Sequence, residues 1–347
     1  MNTGMNISTP PGAEPEPLPA DYATDQEVRW CPGCGDFAVL AQMKKVLAAR
    51  GARRENTVFI SGIGCASRFP YYLDTYGMHG IHGRAPAIAT GLKRMRPELD
   101  IWVVTGDGDG LSIGAGHLLH ALRRNVNIKV LLFNNRVYGL TKGQFSPTSK
   151  PGQVTRSTPF GAVLEPLNAL TTALAANCSF IARAVDTQAK TLGEILNRAA
   201  AHKGSAFVEI YQNCHIFNDG TFDYAKDNKT RHDHVVELEH GKPLVFGVNR
   251  DKGLRQAGFG LEVVKLSEGV SESDLVHHDE AAATPALAHL LADMCHPEMP
   301  EAIGVLRAIE RPTQNELMAP GDGPEPVAGK SDDLAELLRG TDSWVVE

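Results

Sequence analysis

At 347 residues the chain is long enough for one large α/β domain with elaborations, or for two smaller ones. Apolar residues make up 42%, enough for an ordinary core, and the formal charge of −7 argues against nucleic acid or an anionic membrane as main partner. No run of about 18 apolar residues is present to span a bilayer, and no secretory signal opens the chain, so a cytoplasmic address is expected.

The first segment, 1–24, is expected to be a disordered lead-in, because Thr9 to Pro19 is rich in Pro and Glu. A helix is predicted over Asp36–Arg50: Asp36 can cap it, Phe37, Leu40, Met43 and Leu47 share a face, and Gly51 ends it. Short apolar runs then alternate with helical patterns. Strands are read at Thr57–Ser61, Ile101–Thr105, Ile128–Phe133, Phe180–Val185 and Ala206–Tyr211, and helices at Pro86–Met95, Leu111–Arg124, Pro166–Ala176 and Thr191–His202. This alternation predicts an α/β fold with a mostly parallel sheet and helices on both faces. The main domain is expected over 25–235. Residues 236–347 read as a C-terminal extension, a partly irregular arm: Ala281–Met294 looks helical, Pro312–Lys330 loose, and Asp332–Arg339 a last short helix.

In such sheets ligands bind beyond the carboxyl ends of the strands. Two Gly-rich loops stand there: Ser61-Gly62-Ile63-Gly64-Cys65 and Gly106-Asp107-Gly108-Asp109-Gly110. The second turns into a helix, so its backbone N–H groups face an incoming anion, and its glycines let a diphosphate approach without Cβ obstruction. Asn134-Asn135 follows the next strand. Asp107, the Asn135 amide oxygen and the Val137 carbonyl form half of an oxygen octahedron for Mg²⁺, which phosphate oxygens and a water would complete. A dinucleotide fingerprint is excluded by register, since Ile113 stands where its third glycine belongs.

Six cysteines are too few and too scattered for a disulfide framework in a chain without a secretory signal. Cys31 and Cys34 flank a Pro-Gly turn, so both sulfurs can face one inorganic centre. Structural zinc would need a second close pair, which is lacking. Cys65 and Cys214 follow strands at the predicted active edge. Cys178 precedes a strand and Cys295 lies in the arm, so both read as apolar filler. Topology thus selects Cys31, Cys34, Cys65 and Cys214.

The Gly-Asp-Gly and paired-Asn spacing resembles the shared motif of thiamine-diphosphate enzymes. Together with Trp30–Asp36, Gly62–Arg68, Tyr76–Ala85, Gly106–Gly116, Arg123–Asn125 and Asn134–Thr148, it makes the chain resemble the β subunit of 2-oxoacid:ferredoxin oxidoreductases, over about residues 25–235. The resemblance implies a thiamine-diphosphate-binding (PP-type) domain and a [4Fe-4S] cluster on Cys31, Cys34, Cys65 and Cys214. It implies Mg²⁺ on Asp107, Asn135 and Val137, and a cofactor lining of Ile63, Gly64, Cys65, Ala66, Gly108, Asp109, Gly139 and Leu140. His82 would face the diphosphate or the reacting centre, whereas His117 and His120 are left as structural. Lys142 would pair with a substrate carboxylate, which suits 2-oxoglutarate.

The implied reaction is CoA-dependent oxidative decarboxylation of a 2-oxo acid to acyl-CoA and CO₂, with electrons leaving through the cluster to ferredoxin. No second domain is present to supply the acidic residue that the pyrimidine ring needs, so the resemblance implies a larger α subunit in an α₂β₂ assembly. Two alternatives remain: a non-redox thiamine-diphosphate decarboxylase subunit, and a non-catalytic iron–sulfur electron-transfer module.

Overall fold

The structure, a computed structural model, describes residues 17–266, 269–318 and 344. Much of the expected lead-in, residues 1–16, and the expected helix Asp332–Arg339 therefore lie outside the described residues. From Pro19 to Tyr22 the chain is already ordered as a 3-10 turn. Tyr22 is buried there and donates its hydroxyl to the Ala52 carbonyl at 2.6 Å. One aromatic ring with a satisfied hydroxyl outweighs the local Pro/Glu composition.

Five strands fall where the apolar runs predict them: β1 (Thr57–Ser61), β3 (Asp100–Gly106), β4 (Lys129–Asn134), β5 (Phe180–Val185) and β6 (Ala206–Tyr211). Apart from the end residues of β3, all are buried along their whole length. Period-2 alternation divides them between two cores. Val58, Ile60, Ile101, Val103, Val130 and Leu132 face helices α2 (Ala85–Met95), α3 (Ala115–Arg123) and α4 (Ala169–Ala175). Phe59, Trp102, Val104, Leu131 and Phe133 face α1 (Asp36–Ala49) and α5 (Ala189–Ala201). Each fully buried side chain of this kind contributes about 1.5–3 kcal/mol, so a sheet covered on both faces is the favoured solution.

Three more strands complete an eight-stranded sheet of order β2-β1-β3-β4-β6-β5-β11-β7, where β2 is Tyr76–His79, β7 is Val235–Glu237 and β11 is Glu301–Ala308. All neighbours run parallel except β5 and β11. The segment beyond 235 thus returns to the main sheet through β7 and β11. It also builds a small antiparallel sheet from β8 (Val245–Phe246), β9 (Lys252–Ala257) and β10 (Gly260–Lys265). Short helices α6 (Asp223–Lys226), α7 (Ala286–Asp293) and α8 (Gln314–Leu317) fill the remainder. No helix among the described residues is long and apolar enough to cross a membrane.

Two local expectations change. Gly35, not Asp36, is the N-cap of α1, and Phe37 is exposed while Val39 and Val46 are buried instead. The helix read at Leu111 begins as a π-type turn over Asp109–Ile113 before α3. Its geometry follows from Gly114, where an added Cβ would lie 2.5 Å from the Asp109 carbonyl oxygen.

Candidate active site

The loops after β1, β3, β4 and β6 meet at the carboxyl edge of the sheet, where parallel α/β folds place their ligands. Two cavities lie there. One, of about 100 Å³, is lined by Ile63, Gly64, Cys65, Ala66, His82, Asp107, Gly108, Asp109, Asn135, Val137, Gly139 and Leu140, among others. The second, of about 170 Å³, is lined by Cys31, Cys34, Cys65 and Cys214 together with Lys142 and Gln212. Cys65, Asn135, Gly139 and Leu140 belong to both walls. The structure thus brings together all the residues singled out in the sequence.

Asp107 is buried, and burial raises its carboxyl above the usual range while the Ser146 and Thr148 hydroxyls oppose the shift. Both hydroxyls donate to Oδ2 at 2.6 Å, which turns Oδ1 away from them. The paired asparagines divide their labour. Asn134 is a strut: Nδ2 donates to Glu209 Oε1 at 2.7 Å, and Oδ1 accepts from the backbone N–H of Arg136 at 3.2 Å. Asn135 donates Nδ2 to Gln212 Oε1 at 2.8 Å, and its Oδ1 receives the Val137 N–H at 3.2 Å. No protein donor reaches the Val137 carbonyl among the described residues. Hard oxygen donors from Asp107, Asn135 and Val137 thus border one cavity, as a Mg²⁺–diphosphate requires. Ser146 and Thr148 lie inside the conspicuous Asn134–Thr148 stretch, but only the folded loop reveals what their hydroxyls hold.

Asp109 lines the same cavity with its carboxylate spent on the protein. Oδ1 accepts from the backbone N–H of Ile63 at 3.1 Å and of Gly83 at 2.8 Å, and Oδ2 accepts from Thr105 at 2.6 Å. It pins the three loops. A Cβ on Gly62 would lie 2.0 Å from Asp109 Oδ2, so only glycine fits there. His82 Nδ1 stands 2.7 Å from Asp109 Oδ1 without the alignment of a hydrogen bond, and its side chain is 38% exposed, leaving the other ring edge free for the cavity. Tyr138 covers Gly108 and donates its hydroxyl to the Gly108 carbonyl at 3.0 Å. Lys142 sits exposed at the tip of the Tyr138–Gln144 loop with φ of +76°, beside the cysteine bay.

The four cysteines influence one another. Burial, the Asp36 carboxylate, Cys65 and Cys214 hold the Cys34 thiol well above its ordinary range. Burial, Asp36, Cys214 and Cys31 push Cys65 up to about 12. Burial raises Cys214 too, against the stabilising backbone N–H groups of Phe217, Ile216 and Asn218. Four neighbouring thiolates cannot coexist there without a cationic centre. Gly139 lies against both sulfurs: a Cβ there would meet Cys214 Sγ at 3.4 Å and Cys65 Sγ at 3.8 Å, ordinary contact distances. No three His, Cys, Asp or Glu side chains among the described residues converge as ligands of a single ion would. The cysteines border a space instead, which suits a cluster. Asp36, expected only as a cap, is buried beside Cys34 with its carboxyl raised to about 7 by burial. Cys178 is buried, as expected of filler, whereas Cys295 is exposed because it follows the end of α7.

Residues 62–210 match the family described as thiamine pyrophosphate enzyme, C-terminal TPP binding domain. The chain is 50% identical over 334 residues to the 2-oxoglutarate oxidoreductase subunit KorB of Mycobacterium tuberculosis, covering 94% of this chain and 88% of that protein. The chain belongs to the 2-oxoacid:ferredoxin oxidoreductase β-subunit family. A further family member, the β subunit of 2-oxoacid:ferredoxin oxidoreductase 1 of Aeropyrum pernix, is 44% identical over 209 residues, which is 60% of this chain and 66% of that one. The fold of this β subunit also matches the 2-oxoglutarate:ferredoxin oxidoreductase of Magnetococcus marinus, solved with 2-oxoglutarate, coenzyme A and succinyl-CoA bound. The TM-score is 0.70 at 33% identity, over 87% of this chain and 88% of that one.

Proposed function

We propose that this β subunit performs the oxidative decarboxylation of 2-oxoglutarate to succinyl-CoA, holding thiamine diphosphate and Mg²⁺ in one cavity and a [4Fe-4S] cluster in the next. The shared wall of Cys65, Asn135, Gly139 and Leu140 carries the proposal, because occupants of the two cavities would be close enough to act as electron donor and acceptor. Bound there, the thiazolium supplies an electron sink for the pair left by CO₂, and the cluster a one-electron acceptor that ferredoxin empties.

The residues contribute orientation and charge. Asp107, Asn135 and the Val137 carbonyl would hold the cation, and the backbone at Gly108 would receive the phosphates. Ile63, Gly64 and Ala66, held by Asp109, shape the wall against which the coenzyme lies. His82, beside Asp109 and lining the coenzyme cavity, would serve as a proton donor or acceptor toward the substrate. Lys142, beside the bay, offers a charge for the distal carboxylate of a dicarboxylic substrate. Lys142→Ala is expected to raise KM for 2-oxoglutarate on the order of tenfold while leaving that for pyruvate nearly unchanged, as steady-state kinetics on both substrates would read out. Equal losses would remove the lysine from specificity.

A non-redox thiamine enzyme leaves the four gathered cysteines without a task. An electron-transfer module without catalysis leaves Asp107, Asn135 and Val137 without one. The relatives are named as subunits, which supports a partner: the acid for the pyrimidine ring would come from a larger α subunit, in an α₂β₂ complex with a cytoplasmic address. Anaerobic purification tests this: the chain should bring down a larger partner, and only the pair should reduce ferredoxin with 2-oxoglutarate and CoA. Turnover by the pure single chain would refute it.

A further inference from the structure

Gln212 follows β6 and is 1% exposed. Its side-chain amide makes three hydrogen bonds, one for each of its two N–H groups and one for its oxygen. Nε2 donates to the Asn213 carbonyl at 2.7 Å and to Cys34 Sγ at 3.2 Å, while Oε1 accepts from Asn135 Nδ2 at 2.8 Å. The carbonyl of Asn213 accepts only, so Nε2 must face it and Oε1 must face Asn135. That choice dictates the next amide: Asn135 has to present Nδ2 to Gln212, which turns its Oδ1 away, toward the Val137 N–H and the diphosphate cavity. Reversing Gln212 would set its oxygen against a carbonyl and a sulfur together and its N–H groups against the Asn135 amide. Asn135 is thus held from both sides, by Gln212 Oε1 at its Nδ2 and by the Val137 N–H at its Oδ1, and the same Gln212 amide gives a donor to a cysteine sulfur.

Given the cluster and cation proposed above on these residues, we infer that Gln212 is a positioning residue joining the two centres: its N–H stabilises the extra charge of the reduced cluster at Cys34, and its oxygen aims Asn135 at the cation. A sulfur that receives a hydrogen bond carries less charge density, so the cluster accepts an electron more readily. Coenzyme binding and electron acceptance then share one element.

The test uses the complete αβ complex, purified anaerobically. In Gln212→Met, which keeps side-chain length and removes donor and amide oxygen together, the ratio of reduced to oxidised cluster at a fixed potential should fall about tenfold, the size expected for a hydrogen bond to a charged group. For one electron that is about 59 mV toward more negative potential. Mg²⁺–thiamine diphosphate should also bind more weakly, with iron and sulfide content unchanged. The wild-type complex offers an independent measurement, free of any folding defect in the variant. With ¹⁵N in the glutamine side-chain amides, pulsed EPR of the reduced cluster should show a nitrogen coupling. An unchanged potential in Gln212→Met, or a cluster-loaded wild type without that coupling, would overturn the role of Gln212 alone. A wild-type complex lacking iron would overturn the cluster itself and this inference with it.

Discussion

In Cys65→Ser the complex should retain thiamine diphosphate and lose ferredoxin reduction. Among the described residues Cys65 is the cysteine that lines both cavities, so its sulfur stands where the proposed coenzyme and cluster would meet. Serine keeps the shape of the loop, and the Trp30 Nε1–H bond to the residue 65 carbonyl at 2.7 Å uses the backbone, which the substitution spares. The lost quantity is a soft thiolate, for which a hydroxyl is a poor replacement on iron. Iron and sulfide analysis should show depleted cluster, acceptor reduction should fall to background, and coenzyme content should stay near that of the wild type. Normal ferredoxin reduction in a variant with depleted iron would remove the cluster from the electron path.

The mirror-image result is expected for Asp107→Ala. Among the described residues two carboxylates line the diphosphate cavity, and Asp107 is the one offered to a cation, since Asp109 is spent on Ile63, Gly83 and Thr105. Removing it takes away the charged member of the oxygen set and deprives the Ser146 and Thr148 hydroxyls of their shared carboxylate acceptor, with Asn134 Oδ1 at 2.9 Å still within reach of Thr148. Affinity for Mg²⁺–thiamine diphosphate should drop at least on the order of 100-fold, beyond the usual effect of losing a supporting partner of a metal ligand. Isothermal titration at fixed Mg²⁺ would measure it, while iron content stays intact. Unchanged coenzyme affinity would remove Asp107 from the cation site.

Why were some elements legible and others not? β1, β5 and β6 are apolar runs buried on both faces, a pattern that depends little on neighbours. β2 is exposed throughout and contains Gly77, so only its pairing with β1 makes it a strand. β11 carries Glu301 and Arg307 inward. Glu301 is accommodated because the Tyr211 and Tyr224 hydroxyls donate to it, partners distant in sequence. The hairpin of β9 and β10 is half polar because one small sheet has little to cover it.

The same distinction holds at the site. Cys31 and Cys34 announce themselves by spacing, and Asp107 and Asn135 by their places after strands. Asp109 looks from its position like a cofactor contact, yet tertiary hydrogen bonds occupy its carboxylate. Gln212 and Asp36 carry no local signature: one matters because Asn135 and Cys34 stand on either side of it, the other because burial beside Cys34 raises its carboxyl.

An iron anomalous-scattering map from anaerobically grown crystals of the αβ complex, soaked with Mg²⁺ and thiamine diphosphate, tests the adjacency of the two centres most directly. The expected map has an iron peak enclosed by Cys31, Cys34, Cys65 and Cys214, and coenzyme density ending on Asp107 and Asn135 across Gly139. Iron bound elsewhere on this chain, or coenzyme density away from Asp107, would contradict it.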